Sequence, residues 1–95
     1  MSLRFEWDPY KAEANLEKHD VSFEEAVTVF FDPLARIFPD EEHSDDELRE
    51  IIIGHSARRQ LILVNFTGTD TRVRIISARK ATRRERKDYE ENVRS

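Results

Sequence analysis

Apolar residues alternate at the start of the chain (Leu3, Phe5, Trp7), which predicts a short strand over residues 3–7 on a half-buried sheet. Asp8 followed by Pro9 then reads as a helix start, because the carboxylate accepts orphan amide hydrogens and proline fits the first turn. The predicted helix over 9–18 is thinly apolar, with Ala12, Ala14 and Leu16 as its packing positions. His19 and Asp20 sit in the break behind it. Ser22 and Glu25 have capping-box spacing, with Val21 placed to pack on Ala26 as a hydrophobic staple. A second helix is expected from this cap to about residue 31, burying Phe23, Ala26, Val27, Phe30 and Phe31. Asp32 and Pro33 stop it. Residues 34–38 can then form a strand before an acidic loop over 39–47, where Ser44 and Glu47 have the spacing of a further cap.

Segments 49–56 and 60–67 are apolar at consecutive positions, as expected of central strands covered on both faces. Ala57, Arg58 and Arg59 join them as a hairpin. Residues 68–71 supply a second turn, 72–79 make the third strand of a meander, and Thr82 with Glu85 caps a last helix. The order β, α, α, β, β, β, β, α predicts an α+β domain: a mainly antiparallel sheet with two N-terminal helices and one C-terminal helix. At 95 residues the chain is read as a single domain over 1–95.

Composition narrows the classes. The chain is 38% hydrophobic, enough for a core despite 38% charged residues. It has no cysteine, which excludes disulfides and thiolate metal sites and suits a reducing cytoplasm. No apolar run approaches membrane-spanning length and the first residues lack a signal peptide's apolar core, so no membrane partner and a cytoplasmic location are expected. The net charge is −4, yet residues 72–94 carry nine Lys or Arg against four Asp or Glu. Recognition of a polyanion depends on such local potential rather than on the total.

There is no Gly-rich phosphate loop, no nucleophile elbow and no zinc-motif histidine pair. Three histidines, a basic terminal segment, a C-terminal tyrosine and many carboxylates remain. Those are the parts of a ribonuclease that works without a metal or other cofactor. It needs a base for the 2′-hydroxyl, cations for the pentacoordinate phosphate and an acid for the departing 5′-oxygen.

FEWD with Lys11, Asn15 and Lys18-His19, then FEEA, FDP, His43-Ser44, Gly54 and RIISAR form an ordered series over nearly the whole chain. That series resembles the BrnT toxin family. The resemblance implies a RelE-like fold and a type II toxin that arrests growth by metal-independent RNA cleavage. It also implies an antitoxin partner similar to BrnA, a DNA-binding protein that masks the toxin, so that operator DNA is met only through the antitoxin. Asp20 departs from the family pattern, which usually has glycine after Lys-His.

On this reading His19 transfers a proton, and Arg79 and Arg49 stabilise the phosphate. Lys18, His43 and Arg84 bind the RNA backbone. Plainer roles stand beside each: His19 as a helix C-terminal cation, His43 as an exposed loop residue crowded by carboxylates, and Arg49 in a salt bridge to Glu47 or Glu50. His55 is expected to be a packed, hydrogen-bonded strand residue, and Tyr89 an anchor for the last helix. Arg74 and Arg79, five residues apart, point to opposite faces of a regular strand and share a cleft only if it bends. The alternative from another class is a non-catalytic binding module whose basic segment docks an acidic protein or nucleic acid.

Overall fold

The first alternating residues form β1 (Arg4–Glu6), and Asp8 caps α1 (Pro9–His19) by accepting the Tyr10 amide at 2.8 Å. A computed structural model of the chain describes residues 3–43 and 48–94. Asp20 closes α1 in the left-handed region, with φ 57° and its amide donating to the Leu16 carbonyl. A short polar side chain such as aspartate tolerates that geometry. Helix α2 (Phe23–Val29) starts at Ser22, whose hydroxyl accepts the Glu25 amide at 3.0 Å. The reciprocal half of the expected box is absent: the Glu25 carboxylate turns inward to Ser56 Oγ at 2.7 Å and Gln60 Nε2 at 2.8 Å. Glu25 therefore ties α2 to the hairpin beyond β3, and it is buried.

Four further strands follow: β2 (Arg36–Pro39), β3 (Glu50–His55), β4 (Leu61–Gly68) and β5 (Arg72–Lys80). They form one sheet in the order β1-β5-β4-β3-β2, antiparallel throughout except for the parallel β1–β5 pair. Helix α3 (Arg83–Arg94) ends the described chain. The predicted elements and their order are thus present, with one short 3-10 turn (Glu41–His43) added after β2. The suggested cap from Ser44 to Glu47 lies outside the described residues.

Helices α1 and α2 cover one face of the sheet. Val21, Phe23, Ala26 and Val29 pack there on Ile52, Ile62, Val64, Phe66, Val73, Ile75 and Ala78. The other face carries a smaller cluster of Ile53, Leu61, Leu63 and Tyr89, so α3 shields only part of it. The expectation that the central strands are covered on both faces holds for that part alone. Phe31, expected in the core, is 71% exposed, because α2 ends before it. Ala14 and Leu16 of α1 also face solvent.

The packing position of α1 is instead polar. Strand β1 pairs with β5 only at Arg72–Arg74, which leaves the later residues of β5 without a strand on that side. Asn15 fills the gap. Its Oδ1 accepts the Ala78 amide at 3.0 Å, and its Nδ2 donates to the Ala78 carbonyl at 2.8 Å and to the Val21 carbonyl at 2.9 Å. The side-chain amide acts as one further residue of strand, and it is buried. Asn15→Ala strands buried backbone groups and is expected to lower stability by about 2–4 kcal/mol. Urea unfolding checks this, and an unchanged midpoint would remove the assignment.

Candidate active site

The placement of the basic residues follows from one irregularity. Phe66 pairs with Ile75 and Asn65 with Ser77, so Ile76 is an extra residue in β5, a β-bulge. Before the bulge Val73 and Ile75 face the helices, and after it Ala78 does. Arg74, Ser77 and Arg79 are thereby brought to one side: Arg74 pairs with Thr67, and Arg79 with Leu63, four residues apart on the same strand. The opposite-face expectation for a regular strand is corrected by this bend. Arg74 is not on the covered face; its side chain is 48% exposed.

The uncovered half of this face forms a polar floor. By strand alternation Arg49 stands on the same side as Ile51 and Ile53, one residue ahead of β3, and it is half-buried. Thr67 Oγ1 donates to the Leu48 carbonyl at 2.9 Å, fixing the end of β4 beside it. The row across the sheet is then Arg49, Thr67, Arg74 and Glu6, with Asn65 and Ser77 in the next row and Leu63 and Arg79 in the third. Asn65 Nδ2 donates to the buried Asp40 carboxylate at 2.6 Å, and the Asp40 amide donates to the Arg49 carbonyl at 2.9 Å. Glu6 lies 3.3 Å from Arg72 Nε and 3.8 Å from Arg74 Nη1. A depression of about 220 Å³ opens beside Glu6, Thr67 and Arg74. One of about 340 Å³ lies at the other end of the face, between Phe38, Ile53, Leu63, Glu85 and Tyr89.

The sequence-derived set therefore divides. Arg49 and Arg79 share the floor. Lys18 and His19 end α1, next to Asp20, which pairs at 3.8 Å with Lys80. Lys80 pairs with Ile62, a residue of the helix-side core, and so points away from Arg79. No hydrogen bond or ion pair among the described residues joins His19 to either arginine. Arg84 is exposed on the first turn of α3. His43 ends the 3-10 turn, and its side chain lies outside what is described.

Arg79 has a partner that the sequence reading missed. Its Nη1 and Nη2 donate to the two oxygens of Glu85, both at 2.8 Å, while Glu85 Oε1 also accepts the Thr82 amide at 2.8 Å and Thr82 Oγ1 accepts the Glu85 amide at 3.1 Å. The capping box already accounts for Glu85 in the sequence, and nothing in a spacing of six across a strand-to-helix corner marks the second bond. The hydrogen bonds from Arg79, outweighing partial burial and joined by the Thr82 amide, bring the Glu85 carboxyl down to about 2. The same bonds raise Arg79 above its ordinary value.

His55 departs from its expected packing. Its ring is 45% exposed, edge-on to Tyr89 with centroids 5.6 Å apart, and its Nδ1 lies 3.7 Å from Asp32. Asp32 accepts the His55 amide at 2.7 Å and the Leu34 amide at 2.9 Å. Burial pushes this carboxyl up, but the two amides, His55 and Tyr89 outweigh it, leaving a net lowering. Tyr89 is the expected anchor: it is buried, and its hydroxyl donates toward the Leu34 carbonyl at 3.3 Å.

A five-stranded mixed sheet flanked by N- and C-terminal helices, with arginines on its open face, defines an α+β protein. The family model described as "Ribonuclease toxin, BrnT, of type II toxin-antitoxin system" matches residues 7–85, so the chain belongs to the BrnT family. Among solved structures, the 1.1 Å crystal structure of the Brucella abortus ribonuclease toxin BrnT is similar to it, with a TM-score of 0.67. The two are 24% identical over 86% of this chain and 100% of that one, a likeness of fold. No curated protein matches the chain.

The depressed Glu85 carboxyl carries a pH dependence. Because its folded value of about 2 lies below the ordinary 4.5, its stabilising contribution is complete above about 4.5 and is lost as pH falls toward 2. The difference in urea midpoint between the native protein and Glu85→Gln is expected to shrink between pH 5 and pH 2. A constant difference across that range would show that charge on Glu85 contributes nothing.

Proposed function

We propose that the protein is a toxin that cleaves RNA without a metal ion, over the open sheet face bearing Arg49, Arg74 and Arg79. The observation that carries this reading is the bulge at Ile76, which turns Arg74 and Arg79 to the side on which Arg49 stands. Arg74 and Arg79 are separated by four residues of the β4 register, roughly 13 Å at ~3.3 Å per residue. Long arginine side chains on one face can converge across that span on a scissile phosphate and its flanking backbone. Membership of a family of ribonuclease toxins supports the same substrate.

The attacking 2′-oxygen places negative charge on the equatorial oxygens of the scissile phosphate. Guanidinium groups held on a rigid sheet neutralise that charge without reorganising. Arg79 and Arg49 take this role, and Arg74, which the sequence reading set aside, joins them. His19 is assigned the proton transfer, which requires the RNA to pass around the β5 edge from the arginine floor to the end of α1; Lys18, His43 and Arg84 hold flanking backbone. A cognate antitoxin of the BrnA kind covers this face in the complex, and operator DNA is met through the antitoxin alone.

Purified protein is expected to cut RNA in EDTA and to arrest growth on expression. Arg49→Ala, Arg74→Ala and Arg79→Ala should each lower kcat by about 10²–10³-fold, as for loss of a transition-state donor. His19→Ala should cost about 10²–10⁴-fold, the usual contribution of a proton-transfer group. If His19→Ala leaves the rate unchanged, the proton passes through another group while the cation floor stands. A strict requirement for a divalent metal would sink the mechanism, and tight RNA binding without cleavage or toxicity would favour a non-catalytic binding module.

Neutralising about three phosphates of single-stranded RNA gives a slope near −2 for log affinity against log salt, at roughly 0.7 per contact. Binding titrations across a salt series measure it. A flat response would remove the basic face as the binding surface.

A further inference from the structure

Arg79 is held in a way that leaves two of its five N–H donors without a partner among the described residues. A guanidinium presents two forks: one between its terminal nitrogens, and one between Nε and the terminal nitrogen on the same side, Nη2. Glu85 occupies the first, with Nη1 and Nη2 each 2.8 Å from a carboxylate oxygen. The other hydrogen of Nη1 faces the Lys80 carbonyl at 3.4 Å. The Nε–H and the second Nη2 hydrogen have no partner among the described residues, and the Arg79 side chain is 42% exposed. A bidentate acceptor with the spacing of two phosphate oxygens fits that remaining fork.

Glu85 is itself immobilised. Its Oε1 accepts the Thr82 amide at 2.8 Å, and its own amide donates to Thr82 Oγ1 at 3.1 Å. The carboxylate thus stands at the fixed first turn of α3, which Tyr89 anchors against Ile53, Leu61 and Leu63. Resting on the proposed RNA cleavage, we propose that Glu85 is a positioning residue: it clamps one fork of Arg79 so that the other is aimed at the phosphate in the transition state. Arg79 then meets the developing charge without first losing the rotamer freedom of a long side chain. Lysine at position 79 could not do this, since a point charge has no second fork.

Purely structural capping makes a different prediction, and single-turnover and steady-state RNA cleavage separate the two. Glu85→Gln keeps an acceptor for the Thr82 amide but loses the charge-assisted fork. Thr82→Ala removes the hydroxyl half of the cap and leaves the Arg79–Glu85 pair in place. The expected result is a roughly tenfold lower kcat with unchanged KM for Glu85→Gln, the pattern of an interaction made only in the transition state. Thr82→Ala should keep native kcat, and Glu85→Gln should have no further effect in an Arg79→Ala background. Thermal unfolding of each variant verifies that it is folded at the assay temperature. Equal kcat for native protein and Glu85→Gln overturns the positioning role alone, as does an equal loss in Thr82→Ala, which would trace the effect to the seating of α3. Absence of cleavage by the native protein overturns the ribonuclease reading and the positioning role with it.

Discussion

A single extra residue in β5 decides which face of the sheet its arginines take. Without the bulge at Ile76, the residues that fill the helix-side core before it and after it would belong to opposite faces, and so would Arg74 and Arg79. With it, Ile75 and Ala78 both enter the core, and both arginines reach the open face. The bulge lies just past the end of the β1–β5 pairing, where Asn15 takes over the free edge at Ala78. A side-chain amide does not impose the pleat of a neighbouring strand. The first half of β5 is registered by β1, the second by α1, and the irregularity between them is accommodated where the two supports meet.

The second support of the site is the corner after β5. Glu85 and Thr82 start α3, Arg79 reaches the same carboxylate, and Tyr89 seats the helix two turns further along. Tyr89 also connects to Asp32, which accepts amides from Leu34 and His55. Close packing at Gly54 fixes this end of the sheet: a Cβ there would stand 2.9 Å from the Ala35 side chain and 3.0 Å from Asp32. Small size, rather than a special backbone angle, is what that glycine supplies. The end of α2, the end of β3 and the middle of α3 are consequently tied through one carboxylate.

Local patterns were enough for the elements and their order, because capping residues, proline positions and apolar runs act within a few residues. They also put Asp20 in the break after α1 and anticipated the anchoring role of Tyr89. What they missed is non-local. Asn15 looks like a solvent-facing helix residue until β5 lies beside it, and Leu16 looks like a packing residue until the same strand takes its neighbour instead. Glu25 satisfies a capping template, yet its carboxylate is drawn to Ser56 and Gln60 across the fold. The basic residues toward the end of β5 were legible as residue types, Arg79 among them. That Arg74 joins it was not legible, since an inserted residue in an otherwise alternating strand leaves the same letters and changes only the register.

The acidic balance of the chain, −4, is compatible with a polyanionic substrate because of where the acids are bound. Glu6 stands against Arg72 and Arg74, Glu85 against Arg79, and the Asp40 carboxylate accepts from Asn65, so these carboxylates beside the floor are already engaged. Each pair is partly exposed, and in water such contacts contribute little to stability. Their value lies in orientation. A guanidinium paired on one side is fixed in direction but retains donors on the other, whereas an unpaired one would sample many rotamers and lose that entropy when the phosphate arrives. The Glu6 contacts, at 3.3 and 3.8 Å, are looser than the 2.8 Å fork at Glu85. Arg79 is accordingly the most firmly held cation of the face, and Arg72 and Arg74 are held more loosely.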